Sequence, residues 1–332
     1  MWKKLSFLLI MSIQTVNGQS TDLEWSVFHP VKKEWIELGA KGSVQELLID
    51  AGELPDPFYG TNENKFGWIE DYEWEFKALF SVDSTFLNQN HIDLVFPSLD
   101  TYASIYLNDS LVAETANAFI PHDFAVKDLL KLGINEIDIV FVPPVLYHGE
   151  RWETESYHLP APNDVHDTAI APYTRKPQYQ FGWDWSLRMN TIGLNKEAYV
   201  VAYEHTRLIN KSIIVFDANQ DEANIQFQLH LSNKELESVI WKSKLFGPVL
   251  MEGGDGHFYA ELKVENPKLW WPRGQGEQSI YEDFIEVLSV DNQRLISFNF
   301  NYGIKKSELI QEKDQWGTSY YFKINGRSIF CK

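Results

Sequence analysis

The seven residues Tyr179-Gln180-Phe181-Gly182-Trp183-Asp184-Trp185 gather four aromatic rings, one glycine and one carboxylate. Exposed indole faces stack on the apolar faces of sugar rings, and a fixed carboxylate accepts hydrogen bonds from sugar hydroxyls. An apolar wall beside a polar anchor is how a small-ligand pocket joins affinity to orientation. A strand core would draw on Val and Ile and would seldom set Asp between two Trp. The competing reading has Trp183 and Trp185 filling a core while Asp184 caps a turn. Hydrolysis of a glycosidic bond with retention needs two carboxyl groups about 5–5.5 Å apart. No spacing in the sequence places a second carboxylate beside Asp184, so it reads as an anchor and no catalytic residue is assigned. The stretch just upstream carries His148, His158 and His166 with Glu153, Glu155, Asp164 and Asp167. Their spacing matches no compact ligand motif, so neither a metal nor any other cofactor is expected.

The elements that must hold this stretch are strands. From Ile92 onward, short alternating runs recur at roughly ten-residue intervals with polar turns between them, which is the pattern of a β-sandwich. Trp74-Glu75-Phe76-Lys77 alternates in the same way. A short helix is predicted from Val44 to Asp50, with Ser43 as N-cap and Glu46 at the capping-box position. Residues 143–175 are rich in proline and read as a long irregular excursion leading into the aromatic stretch. A second set of alternating runs covers about 100 residues from Tyr199, the size of an immunoglobulin-like sandwich. Within it Gly253-Gly254-Asp255-Gly256 is a hairpin turn, and a further hairpin turns at Asn325-Gly326. The pair Trp270-Trp271 could meet sugar, but a strand-end aromatic plug between domains is preferred.

Totals narrow the function classes. Aromatic residues make up 14% of the 332, and the formal net charge is −18. Such a charge would repel nucleic-acid phosphates. No internal segment approaches the ~20 apolar residues of a membrane span. The single cysteine, Cys331, rules out an intrachain disulfide. Residues 1–18 carry a basic start at Lys3 and Lys4, an apolar run to Ile13 and small residues before Gln19, as a signal peptide does. In that context the sequons at Asn108 and Asn210 become candidate glycosylation sites, and the expected location is the secretory pathway, lysosomal or secreted.

Five stretches carry a family resemblance: RKPQYQFGWDW (175–185), LPDPFYGTNENKFGWIEDYEWEF (54–76), LDTYASIYLND (99–109), NPKLWWPRG (266–274) and YYFKINGRSIF (320–330). Together they resemble the β-mannosidases of glycoside hydrolase family 2, across nearly all of the chain after the leader. Departures are local: Gln45-Glu46-Leu47 replaces a His-Thr-Asp-like trio, Ser186-Leu187 replaces Gly-Pro, and Leu194 stands near a family Trp. The resemblance implies an all-β fold: a jelly-roll, galactose-binding-like sandwich at 19–205, an immunoglobulin-like sandwich at 206–304, and at 305–332 a hairpin opening a (β/α)₈ barrel. Such a barrel needs ~250 residues more, and the family's two catalytic glutamates, which sit on it, match no position here. Asn135-Glu136 is set aside as an exposed turn-and-strand pair. The resemblance further implies that Trp183, Asp184 and Trp185 reach into the mannose subsite of a barrel packed against this chain. The expected role is the N-terminal part of a retaining exo-β-mannosidase acting on mannoside oligosaccharides, with this chain alone inactive. The alternative is a non-catalytic, two-domain carbohydrate- or partner-binding β protein.

Overall fold

The computed structural model describes residues 14–15, 18–183 and 186–331. Among these residues the chain is built mainly of antiparallel strands and divides into two compact units, one of residues 14–15 and 19–204 and one of residue 18 and 205–331. No described helix is long and apolar enough to cross a membrane. Of the expected leader at 1–18, residues 1–13 and 16–17 lie outside the described residues.

The first unit is a sandwich. A six-stranded sheet runs in the order Glu34–Gly39, Trp25–His29, Trp74–Val82, Gly133–Val142, Tyr102–Leu107, Ser110–Ala116. A five-stranded sheet runs Gln14–Thr15, Gly18–Asp22, Tyr199–Tyr203, His91–Phe96, His122–Ala125. Alternation decides which residues face inward. In Trp74–Val82, Trp74, Phe76, Ala78, Phe80 and Val82 are buried and the residues between them are not. Phe76 and Phe141, on neighbouring strands, meet edge to face at 4.8 Å. Leu94, Phe96, Val200 and Ala202 of the other sheet join the same core.

The helix Val44–Asp50 begins as the sequence predicts. Ser43 Oγ accepts from Glu46 N (3.2 Å), and Glu46 Oε2 accepts from Ser43 N (2.9 Å). Two expectations need correction. The irregular excursion after Val142 contains an α-helix, Pro144–Thr154. Proline at its first turn has no amide proton to lose there, and Pro144, Val145, His148 and Trp152 form its inward side. Asn135 is not exposed but fully buried. Its amide nitrogen donates to Lys131 O (2.8 Å) and its oxygen accepts from Lys131 N (2.9 Å), locking the turn before its strand, while Glu136 pairs with Lys77.

In the second unit a seven-stranded sheet runs Leu208–Ala218, Glu222–Leu231, His257–Glu265, Gly247–Gly254, Val239–Ser243, Tyr281–Leu288, Arg294–Tyr302. It folds over on itself. Phe227 from one half touches Trp241 (3.7 Å) and Tyr302 (5.3 Å) from the other. Asp255 and Gly256, both at positive φ, close the predicted hairpin between Gly254 and His257. A separate three-stranded sheet, Ser307–Ile310, Tyr321–Ile324 and Arg327–Ile329, turns at Asn325-Gly326, again both at positive φ.

Candidate functional site

The aromatic stretch lies on the first unit as a loop with both feet tied. Pro177 opens a 3₁₀ turn, Gln178–Gln180. Phe181 is fully buried against Ile170, Ala171, Val145, Trp152 and Tyr173. Phe181 and Arg188 form an antiparallel bridge, and Met189 N donates to Gln180 O at 2.8 Å. Gly182 sits at φ +102, and a Cβ there would lie 3.3 Å from Val165 Cγ2 and 3.4 Å from Arg188 Cβ, so both backbone and space disfavour a side chain. Trp183 follows at φ +105 and is 40% exposed. An indole held at positive φ is strained backbone kept in place by its surroundings. Asp184 and Trp185 lie outside the described residues. A cleft of about 400 Å³ opens beside Trp183, walled by Asn64, Gly67, Val165, His166, Gly182 and Arg188.

Two buried ionic groups stand at the feet. Lys176 is fully buried and ion-pairs with Asp100. Its Nζ also donates to Thr191 O (2.6 Å), and Thr191 Oγ1 donates to Asp100 Oδ2 (2.8 Å). Burial pushes the Lys176 ammonium below its ordinary pKa, and the Asp100 carboxylate opposes that shift. On the other foot Arg188 grips Glu70 with both terminal nitrogens, Nη2 at 3.1 Å, and reaches Asp164 Oδ1 with Nε at 3.4 Å. Asp164 also accepts from His166 N (3.2 Å) and Ala171 N (3.1 Å). Asn190 Nδ2 adds a bond to Glu70 (3.2 Å). The local departure at Gln45 has a structural use: its side chain is buried, donating to Asn190 O (2.8 Å) and accepting from Ile192 N (3.2 Å).

The other residues singled out in the sequence are dispersed. His148 faces Tyr102, whose hydroxyl lies 2.7 Å from its Nε2. His158 stacks on Trp152 at 3.7 Å, and His166 Nδ1 accepts from Thr168 N at 3.0 Å. Among the described residues no group of three or more His, Cys, Asp or Glu is arranged to hold a metal. Asn108 occupies a tight turn at φ 48, and its amide nitrogen donates to Leu129 O and Asn135 Oδ1, both at 2.8 Å. Asn210 is exposed on the edge strand Leu208–Ala218. Sequence reasoning missed Asp100, Glu70 and Arg188. Lys176 was visible only as one residue of the RKPQYQFGWDW stretch, and no periodicity links any of them to its partner.

The fold has counterparts among known proteins. Beta-mannosidase B of Aspergillus clavatus is 28% identical over 310 residues, covering 87% of this chain and 35% of that protein. Beta-mannosidase B of Aspergillus niger is 28% identical over 307 residues, covering 90% of this chain and 36% of that protein. The chain therefore spans about a third of the length of the curated relatives it matches. Among solved structures, a beta-D-mannosidase from Dictyoglomus thermophilum is 32% identical with a TM-score of 0.82, covering 94% of this chain and 39% of that one. An exo-chitosanase from Amycolatopsis orientalis, 17% identical with a TM-score of 0.67 and covering 94% of this chain and 36% of that one, shares the fold. Residues 25–196, more than half of the chain and including every tie at the feet of the Trp183 loop, match the glycosyl hydrolase 2 galactose-binding domain-like family. The chain belongs to that family.

Proposed function

We propose that this chain is the sugar-recognising front portion of a retaining exo-β-mannosidase that removes terminal β-linked mannose from oligosaccharides. The chemistry itself is assigned to a catalytic domain within the two-thirds of such enzymes that this chain does not match. Trp183, Asp184 and Trp185 form one wall of the mannose subsite, the indoles stacking on the ring and the carboxylate accepting from its hydroxyls. A sugar caught this way is oriented before any bond is broken, and such positioning lowers the barrier for the carboxylates that act on it. The route is the secretory pathway, with Asn210 as the better-presented glycan site. The observation that carries the reading is Trp183, exposed at positive φ on a loop whose feet are buried and ion-paired, in a chain that aligns over 94% of its length with a beta-D-mannosidase. The test is to read the transcript across Lys332 and assay its product on p-nitrophenyl β-mannoside. Release from the β-mannoside and none from the α-anomer is expected. A frame that closes at Lys332 with an inert product would replace this function with that of a non-catalytic carbohydrate-binding protein.

A further inference from the structure

The Glu70–Arg188–Asp164 group joins three segments that are far apart in sequence and line the same cleft. Glu70 lies in the 3₁₀ turn Gly67–Asp71, whose first residue is part of the cleft wall. Asp164 precedes Val165 and His166, and Arg188 closes the loop that holds Gly182 and Trp183. All three side chains are buried or nearly so, with side-chain exposures of 8% for Glu70, 0% for Asp164 and 12% for Arg188. Burying one cation with two carboxylates is an expensive way to hold a loop, and well-packed apolar side chains would do so at lower cost. What the charges add is direction. A guanidinium gripped through both terminal nitrogens cannot turn about its own axis without breaking a bond. Arg188 also touches the segment it would steer. Its Cβ lies 3.4 Å from where a Gly182 Cβ would be, and its backbone bridges Phe181.

From this geometry we infer that Glu70, Arg188 and Asp164 act as a positioning clamp that fixes the pose of Trp183 and ties the three walls of its cleft together. The clamp works through Trp183 without touching the sugar, and its importance for mannoside binding rests on the function proposed above. Asp164 does double work: its Oδ1 takes Arg188 and His166 N while its Oδ2 takes Ala171 N, so the Val165–His166 wall and the loop share one carboxylate.

The experiment is amide hydrogen exchange, with the ¹H–¹⁵N indole signal of Trp183 alongside, on the 332-residue chain and two mild variants. Arg188→Lys keeps the charge and loses the fork; Glu70→Gln keeps the shape and loses the charge. Both should speed exchange of the Val165–His166 and Phe181–Met189 amides by about tenfold or more, the size expected for one charge-assisted hydrogen bond. They should also shift or broaden the Trp183 indole signal, while exchange in the strand Trp74–Val82 stays within about twofold of wild type. Unchanged loop exchange in both variants overturns the clamp. So does an equal acceleration throughout the first unit, because the triad would then hold the fold rather than the loop. Exchange is read without sugar, so the clamp stands or falls separately from mannoside binding. A wild-type chain whose Trp183 signal ignores β-mannosides while the variants still loosen the loop would keep the clamp and remove the sugar reading.

Discussion

Trp183 and the pair Trp270-Trp271 share a composition, tryptophan near glycine in a polar setting, yet the fold treats them in opposite ways. In the second unit each ring has a cation over its face: Lys305 Nζ lies 4.6 Å from the Trp270 ring and the Arg327 guanidinium 4.5 Å from that of Trp271. Glycines let the rings sit close to backbone. A Cβ on Gly303 would come within 2.9 Å of Trp270, and one on Gly276 within 2.6 Å of Trp271. The backbone is sewn in as well, with Trp270 N donating to Ile304 O (2.8 Å) and Asn325 Nδ2 to Trp270 O (3.0 Å). These rings hold the LWWP stretch to the C-terminal sheet of the same unit. Trp183 lies beside a cleft at a strained φ, on a loop held by buried ion pairs at its feet. A tryptophan is thus made structural or presentational by what surrounds its ring and its backbone, and neither is written in the motif itself.

That contrast gives graded predictions. Trp270→Ala should cost the second unit about 2–3 kcal/mol, because it removes a half-buried indole together with the partner of the Lys305 ammonium. Urea unfolding followed in the second unit checks this, and a cost below about 0.5 kcal/mol would put Trp270 in the same class as Trp183. An intermediate effect separates the units by pH. Burial, and then the nearby Arg151, hold the His148 imidazole below its ordinary value of 6.5, against the opposing pull of Glu155; Tyr102, Tyr147 and Tyr173 surround it. The folded form therefore keeps His148 neutral while the unfolded chain takes up a proton below 6.5. First-unit stability should fall as pH drops below 6.5 and should be indifferent to this group above it. His148→Gln, which can still meet the Tyr102 hydroxyl, should flatten that slope; an unchanged slope would assign it elsewhere. The smallest effect belongs to Trp183→Gly. Relief of positive φ offsets the packing removed with the indole, so stability should stay within about 1 kcal/mol of wild type. Thermal unfolding of the first unit measures it, and a larger destabilisation would class Trp183 with Trp270.

Much of this architecture was legible in the sequence where the signal is local. Ser43 and Glu46 are three residues apart and bond each other, so the helix they open could be read directly. Asp255-Gly256 and Asn325-Gly326 name their own turns, because few residue pairs tolerate two positive φ values. The alternation Trp74-Glu75-Phe76-Lys77 showed which face of its strand is buried, and the strand carries that alternation on to Val82. The helix Pro144–Thr154 was hidden because proline reads as a breaker unless it falls in the first turn. The site was legible only in outline. Lys176 and Asp100 are 76 residues apart, and Arg188 and Glu70 118, so no period or motif joins them. Their pairing exists only once two sheets have closed and the loop has returned. Asn108 shows the same limit, since its sequon says nothing of the two acceptors that engage its amide nitrogen.

That Trp183, and not Trp270 or Trp271, is the ring presented to sugar is tested most directly by titrating the ¹⁵N-labelled chain with methyl β-mannoside. The three indole N–H signals are followed, assigned through Trp→Phe substitutions. A saturable, weak shift of the Trp183 signal is expected, with those of Trp270 and Trp271 unmoved. Movement of the Trp270 or Trp271 signals with Trp183 silent would contradict it.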